Sequence, residues 1–118
     1  MKIIVTFLVG LITAQAGAPK ALIDPAILKA KQEFEAKKAE SAKGDATVLF
    51  ELGDLHYFGK GTPRNYGEAF KAYQASADKG YALAEANLGY LYERGQGTGR
   101  DYKKAMEWYD KAAGKGHA

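Results

Sequence analysis

The stretch ERGQGTGRDY, residues 93–102, has the makings of a phosphate cradle: three glycines alternate with small polar residues, and Arg100 and Asp101 follow. A second stretch, FGKGT at residues 58–62, adds the lysine that a Walker-type loop would place on a β- or γ-phosphate. It lacks the G-x-x-x-x-G-K-[ST] spacing, and it follows a helical pattern rather than a strand. Nucleophilic chemistry has little to draw on. The chain has no cysteine, and its two serines, Ser41 and Ser76, both fall within helical patterns. The two histidines, His56 and His117, stand 61 residues apart with no H-x-x-x-H spacing, which is no basis for a metal site. Glu51, Asp54 and Glu93 could share a face, but a glycosidase needs a carboxylate pair across a cleft, and a solvated charged face accounts for them. No catalytic residue, cofactor site or metal ligand is assigned.

The elements that would have to position such groups come next. Met1 and Lys2 open the chain, residues 3–14 are almost unbroken apolar sequence, and Ala14-Gln15-Ala16 follows. A basic start, about a dozen apolar residues and A-x-A read as a secretory signal peptide cleaved after Ala16. A membrane anchor would need about 20 apolar residues, so no membrane span is expected after cleavage. The expected location is the periplasm or the extracellular space. Residues 17–23 read as an extended segment, and about a hundred residues remain for one small domain. Formal net charge is +3, with the basic residues dispersed rather than gathered into a run, which argues against nucleic acid.

Self-similarity dominates the rest. LGDLHYFGKGTPRNYGEAFKAYQASADKGYA, from Leu52, lies on LGYLYERGQGTGRDYKKAMEWYDKAAGKGHA, from Leu88, at an offset of 36 residues without a gap. Leu52/Leu88, Gly53/Gly89, Leu55/Leu91, Gly59/Gly95, Gly61/Gly97, Tyr66/Tyr102, Ala69/Ala105, Tyr73/Tyr109 and Gly80/Gly116 coincide. The K-G-x-A punctuation also occurs at Lys43, one period earlier. The chain therefore divides into an N-terminal helix forming a degenerate half repeat (24–44), repeat 1 (45–80) and repeat 2 (81–118).

Each repeat reads as two helices. The first spans residues 46–58 and again 82–94, with Leu49, Leu52, Gly53 and His56, then Leu88, Gly89 and Tyr92, on the buried edge. A mid-helix glycine costs about 1 kcal/mol relative to alanine, so its recurrence at 53 and 89 predicts a close helix crossing. Asn65 and Asp101 are N-caps of the second helices, whose inner faces hold Tyr66, Ala69, Phe70, Tyr73 and Ala77, then Tyr102, Ala105, Met106, Tyr109 and Ala113. Gly80 and Gly116 end them as C′ glycines. Asp24 and Pro25 open the helix ahead of both repeats, which stops at Gly44. The fold class is all-α: a short α-solenoid of antiparallel helix pairs.

The pattern from Ala82 to Ala118, with LG-x-L-Y, G-x-G-T, D-Y-x-x-A and W-Y-x-K-A-A in register, resembles the Sel-one-like repeat, a relative of the tetratricopeptide repeat. Repeat 1 departs from it at His56, opposite Tyr92, and at Ala72, opposite Trp108. The resemblance implies an adaptor that holds a protein or peptide on the concave face, lined by the first helix of each pair. The positions pointing there are Thr47, Phe50, Glu51, Asp54, Tyr57 and Phe58 in repeat 1. In repeat 2 they are Leu83, Ala86, Asn87, Tyr90, Glu93 and Arg94. These positions differ between the copies while the core positions agree, as expected if packing repeats and binding does not. The alternative is that the aromatics are buried against the N-terminal helix.

Two other functions are carried beside the adaptor. One is a small envelope hydrolase acting on a β-lactam or peptidoglycan, by analogy with cysteine-rich relatives whose disulfides are absent here. The other is capture of an anionic wall polymer by Lys37, Lys38, Lys103 and Lys104. The face carrying Met106, Trp108 and Tyr109 has no following repeat in this sequence, which predicts self-association through the C-terminal helix or marginal stability. GQGTG has a twin in GKGTP at 59–63, where Pro63 has no N–H to offer a phosphate. Both stretches then read as connectors, with Arg64 and Arg100 as turn or carbonyl-capping residues.

Overall fold

In the computed structural model, residues 24–115 are described; the expected leader, the segment 17–23, Gly116 and His117 lie outside them. Helix α1, Pro25–Glu40, starts where Asp24 accepts a 2.8 Å hydrogen bond from the Ala26 N–H and Pro25 supplies a preset φ. It ends four residues earlier than its periodicity suggests. A 3-10 turn, Ser41–Lys43, tightens the chain into Gly44, which sits at φ 75°.

Repeat 1 holds α2, Ala46–Phe58, and α3, Tyr66–Asp78; repeat 2 holds α4, Ala82–Arg94, and α5, Tyr102–Ala113. The first-helix bounds agree with the sequence reading, because each helix runs between an extended residue and a left-handed glycine, Gly59 or Gly95. Asn65 and Asp101 cap α3 and α5 by accepting 3.0 Å bonds from the N–H groups of Glu68 and Lys104. The elements are all helical among the described residues, and each packs against its neighbours in chain order.

The core runs continuously through both repeats, from Ala69, Tyr73 and Ala77 to Ala84, Leu88, Leu91, Tyr92 and Ala105. Gly53 and Gly89 explain the close crossing. A Cβ on Gly53 would lie 2.6 Å from the Tyr73 ring, and one on Gly89 would lie 3.0 Å from the Tyr109 ring. Each glycine thus makes room for the tyrosine of the following helix. The Ser76 hydroxyl, fully buried, donates 2.7 Å to the Ala46 carbonyl and ties α3 to the start of α2.

Four positions depart from the expected inner faces. Val48 is buried beside Leu52 while Leu49 is only half-buried. Ala112, not Ala113, is the buried alanine of α5. Tyr102 and Met106 are about 60% exposed, unlike their half-buried counterparts Tyr66 and Phe70. Phe70 meets Tyr92 of α4 edge-on at 5.4 Å, and α5 has no such later helix among the described residues.

The half repeat is a structural one. Phe34, the single buried side chain of α1, meets His56 edge-on at 5.1 Å and 83°, as Phe70 meets Tyr92 at 5.4 Å and 85°. The loops repeat the pattern. A Cβ on Gly61 would overlap the Ala30 carbonyl, and a Cβ on Gly97 would overlap the Tyr66 carbonyl, with φ at 77° and 76°. Helix α1 therefore stands to repeat 1 as α3 stands to repeat 2.

Candidate functional site

In each glycine-rich loop, three backbone N–H groups are taken by carbonyls of the helix before it. The Gly59 and Lys60 N–H groups both bond the Leu55 carbonyl, and Asn65 N–H bonds that of His56. Gly95 and Gln96 on Leu91, and Asp101 on Tyr92, reproduce this atom for atom. Arg64 and Arg100 sit over the rings of Tyr66 and Tyr102, at 5.1 and 5.8 Å, rather than on carbonyls as their loop position suggests. The loops are connectors in which Gly61 admits the backbone of α1 and Gly97 that of α3.

Five of the residues singled out in the sequence meet around one cavity. Asp54, Tyr57 and Phe58 of α2 and Asn87 and Tyr90 of α4 line a space of about 330 Å³, together with Tyr73 of α3 and Leu91 of α4. The register of the repeats brings them together: Asp54 and Tyr90 are the same repeat position, one period apart. Tyr73 and Leu91 escape the sequence reading because they recur as Tyr109 and Leu55, and recurrence signals packing. A tyrosine that packs through its ring and reaches the cavity through its hydroxyl serves both ends.

The polar centre is Asp54. Tyr73 donates its hydroxyl to Oδ1 at 2.5 Å, and Asn87 lines the same cavity. Burial pushes the Asp54 carboxyl above its ordinary range, Tyr73 acts the other way, and Glu51 adds to the rise. Burial and then the bond to Asp54 drive the Tyr73 phenol up as well, so it remains a donor throughout the neutral range. Tyr57 donates to Gln96 of the second loop at 2.9 Å and packs against Phe58 and Tyr66, at 5.0 and 5.1 Å. Phe58 and Tyr90 are exposed, at 66% and 39%.

The remaining sequence-derived site residues lie outside this cavity. Phe50 is half-buried, packed on Tyr73 and Tyr81 rather than on the N-terminal helix. Glu51 is exposed and pairs with Lys37 of α1 at 2.9 Å, which raises the lysine pKa. Glu93 accepts from the Tyr109 hydroxyl at 2.7 Å, a bond that, after burial, helps push that phenol up to about 12. Arg94 lies over the Tyr90 ring at 5.4 Å. Thr47 and Leu83 are exposed at the starts of α2 and α4, and Ala86 is half-buried. Lys37 and Lys38 are on α1, and Lys103 and Lys104 are on α5, with three helices between the pairs. The described residues contain no cluster of potential metal ligands, and none of their helices is long and apolar enough to cross a membrane.

Comparison with known proteins fits this geometry. The family model described as the Sel1 repeat matches residues 46–81 and 82–117. The crystal structure of a Sel1 repeat protein from Oxalobacter formigenes superimposes with a TM-score of 0.68 at 32% identity, covering 70% of this chain and 63% of that one. A protective antigen present in uropathogenic Escherichia coli strains, displaying an SLR fold, gives 0.71 at 31% identity, covering 73% of this chain and 18% of the antigen. Cysteine rich protein B of Helicobacter pylori shares the fold, with a TM-score of 0.68 at 23% identity over 73% of this chain and 65% of that one. An uncharacterized Sel1-like repeat-containing protein of Schizosaccharomyces pombe is 40% identical over 40 residues, 34% of this chain and 6% of the yeast protein. The chain thus spans less than two thirds of each relative's length. With both helix pairs matched by the family model and the paired-helix architecture shared by these structures, the chain belongs to the Sel1 repeat family.

Proposed function

We propose that this protein is an exported interaction module that holds a protein or peptide partner at the cavity between α2 and α4. Sel1 repeats are typically protein–protein interaction modules, which supplies the class of function. The observation that carries the site is the cavity itself: Asp54, Tyr57, Phe58, Asn87 and Tyr90 converge there, at positions where the two copies differ. Exposed aromatic side chains beside a carboxylate are the makeup of an interaction hot spot. Export rests on the leader read in residues 1–16, so the mature chain starts at Gly17.

A photo-crosslinking amino acid placed in turn at Phe58, Tyr90 and exposed Lys71 of α3 tests the site. One discrete partner should be captured from the first two positions and not from the third. Equal capture from all three would falsify the assignment of the surface.

A further inference from the structure

The cavity has one charged side chain in its lining, and its chemistry selects among partners. Asp54 is that group; its neighbours are the rings of Tyr57, Phe58, Tyr73 and Tyr90, the Leu91 side chain and the Asn87 amide. Tyr73 engages Oδ1, which leaves Oδ2 for an incoming donor. The nearby cations are committed or lie to the side. Lys37 is held by Glu51, Arg94 rests on the Tyr90 ring, and Lys60 borders the neighbouring depression that shares Asp54 and Phe58. Glu93 adds a further negative charge on α4. A carboxylate ringed by aromatic faces repels anionic ligands and attracts a cation on an apolar stem. The volume, about 330 Å³, is at the lower end for ligand pockets, which suits one long side chain.

We propose that the cavity takes a lysine or arginine side chain of the partner, its cationic head on Asp54 and its methylene stem between the rings of Tyr57, Phe58 and Tyr90. This deepens the interaction-module reading and rests on it. The Tyr73 hydroxyl occupies only Oδ1 of Asp54, and the equivalent position of repeat 2 is Tyr90, so the second oxygen and the carboxylate at this position distinguish this cavity from a repeat of the scaffold.

The test uses the isotope-labelled full chain and four capped tripeptides of the form Gly-X-Gly, with X lysine, arginine, norleucine or glutamate. The lysine or arginine peptide should shift the Asn87 side-chain amide and the Tyr57 and Tyr90 ring signals, binding at least about fivefold more tightly than the norleucine peptide. Asp54→Asn, which keeps an oxygen acceptor for Tyr73, should erase that preference with the rest of the spectrum unchanged. Tyr90→Leu, which keeps apolar surface but removes the ring, should reduce it. Equal binding of lysine and norleucine peptides, preferred binding of the glutamate peptide, or a preference untouched by Asp54→Asn overturns the proposal. Where crosslinking from Phe58 and Tyr90 still captures one partner, such a result removes the cation alone. Where that capture is absent too, the interaction reading falls with it.

Discussion

His56 is a tyrosine position occupied by a base. Its ring fills the slot that Tyr92 fills one period later, edge-on to Phe34, and its Nδ1 is buried without a hydrogen-bond partner. Burial lowers its pKa; Lys38 lowers it further, while Glu68 acts in the opposite direction. The unfolded chain therefore takes up a proton near pH 6.5 that the folded His56 refuses. Above that pH His56 has no effect on stability; as the pH falls below it, stability is lost until the folded pKa is passed. Thermal melts between about pH 7 and about pH 5 should show this loss, and His56→Tyr should remove it; an identical pH dependence in the variant refutes the account. Glu85 carries the opposite kind of misfit. It is 2% exposed, with Oε2 on Lys115 Nζ at 2.7 Å and Oε1 unpartnered, where repeat 1 has Leu49. The Lys115 side chain is 42% exposed, so only the carboxylate is buried, and apolar side chains often outperform such a group; Glu85→Leu should raise stability by about 1 kcal/mol and Lys115→Met should lower it by about 2 kcal/mol. Urea denaturation of the two variants measures both.

At the scale of the helix, the glycines divide into those that admit a neighbour and those that do not. Gly53→Ala gains about 1 kcal/mol of helix propensity but drives a methyl into the Tyr73 ring, wedged in the core. The expected net result is a loss of about 2 kcal/mol, with a displaced Tyr73 hydroxyl and a weakened Asp54 contact. Gly67, in the first turn of α3, meets only its own cap oxygen at 3.3 Å and corresponds to Lys103 of α5. Gly67→Ala should therefore stabilise the chain by about 0.5 kcal/mol. Two melting curves decide the contrast; equal shifts would remove the packing explanation for Gly53. The helices themselves were legible because local chemistry writes their ends: Asn65 and Asp101 at one end, Gly59 and Gly95 at the other. What a face meets was less legible. Phe50 and Tyr57 both read as candidates for the binding surface, yet Phe50 turns to Tyr73 and Tyr81 while Tyr57 lines the cavity. Their separation depends on the position of α4, which no local pattern encodes.

For the molecule as a whole, the period of 36 determined more than the helices did, because it placed Asp54 and Tyr90 in equivalent positions on neighbouring units. Five of the seven residues lining the candidate site followed from asking where the copies disagree. Tyr73 and Leu91 were hidden by that same question, since a residue that packs and also lines the cavity recurs in register. The connectors hold the remaining lesson. Gly61 rests on the carbonyl of Ala30 and Gly97 on that of Tyr66, main chain against main chain. At these two points the units meet through peptide groups, a contact that holds as long as both glycines stay. Side chains on the open face can be exchanged without altering the interval between them, so the scaffold behaves as a ruler whose graduations stay fixed while its markings are rewritten.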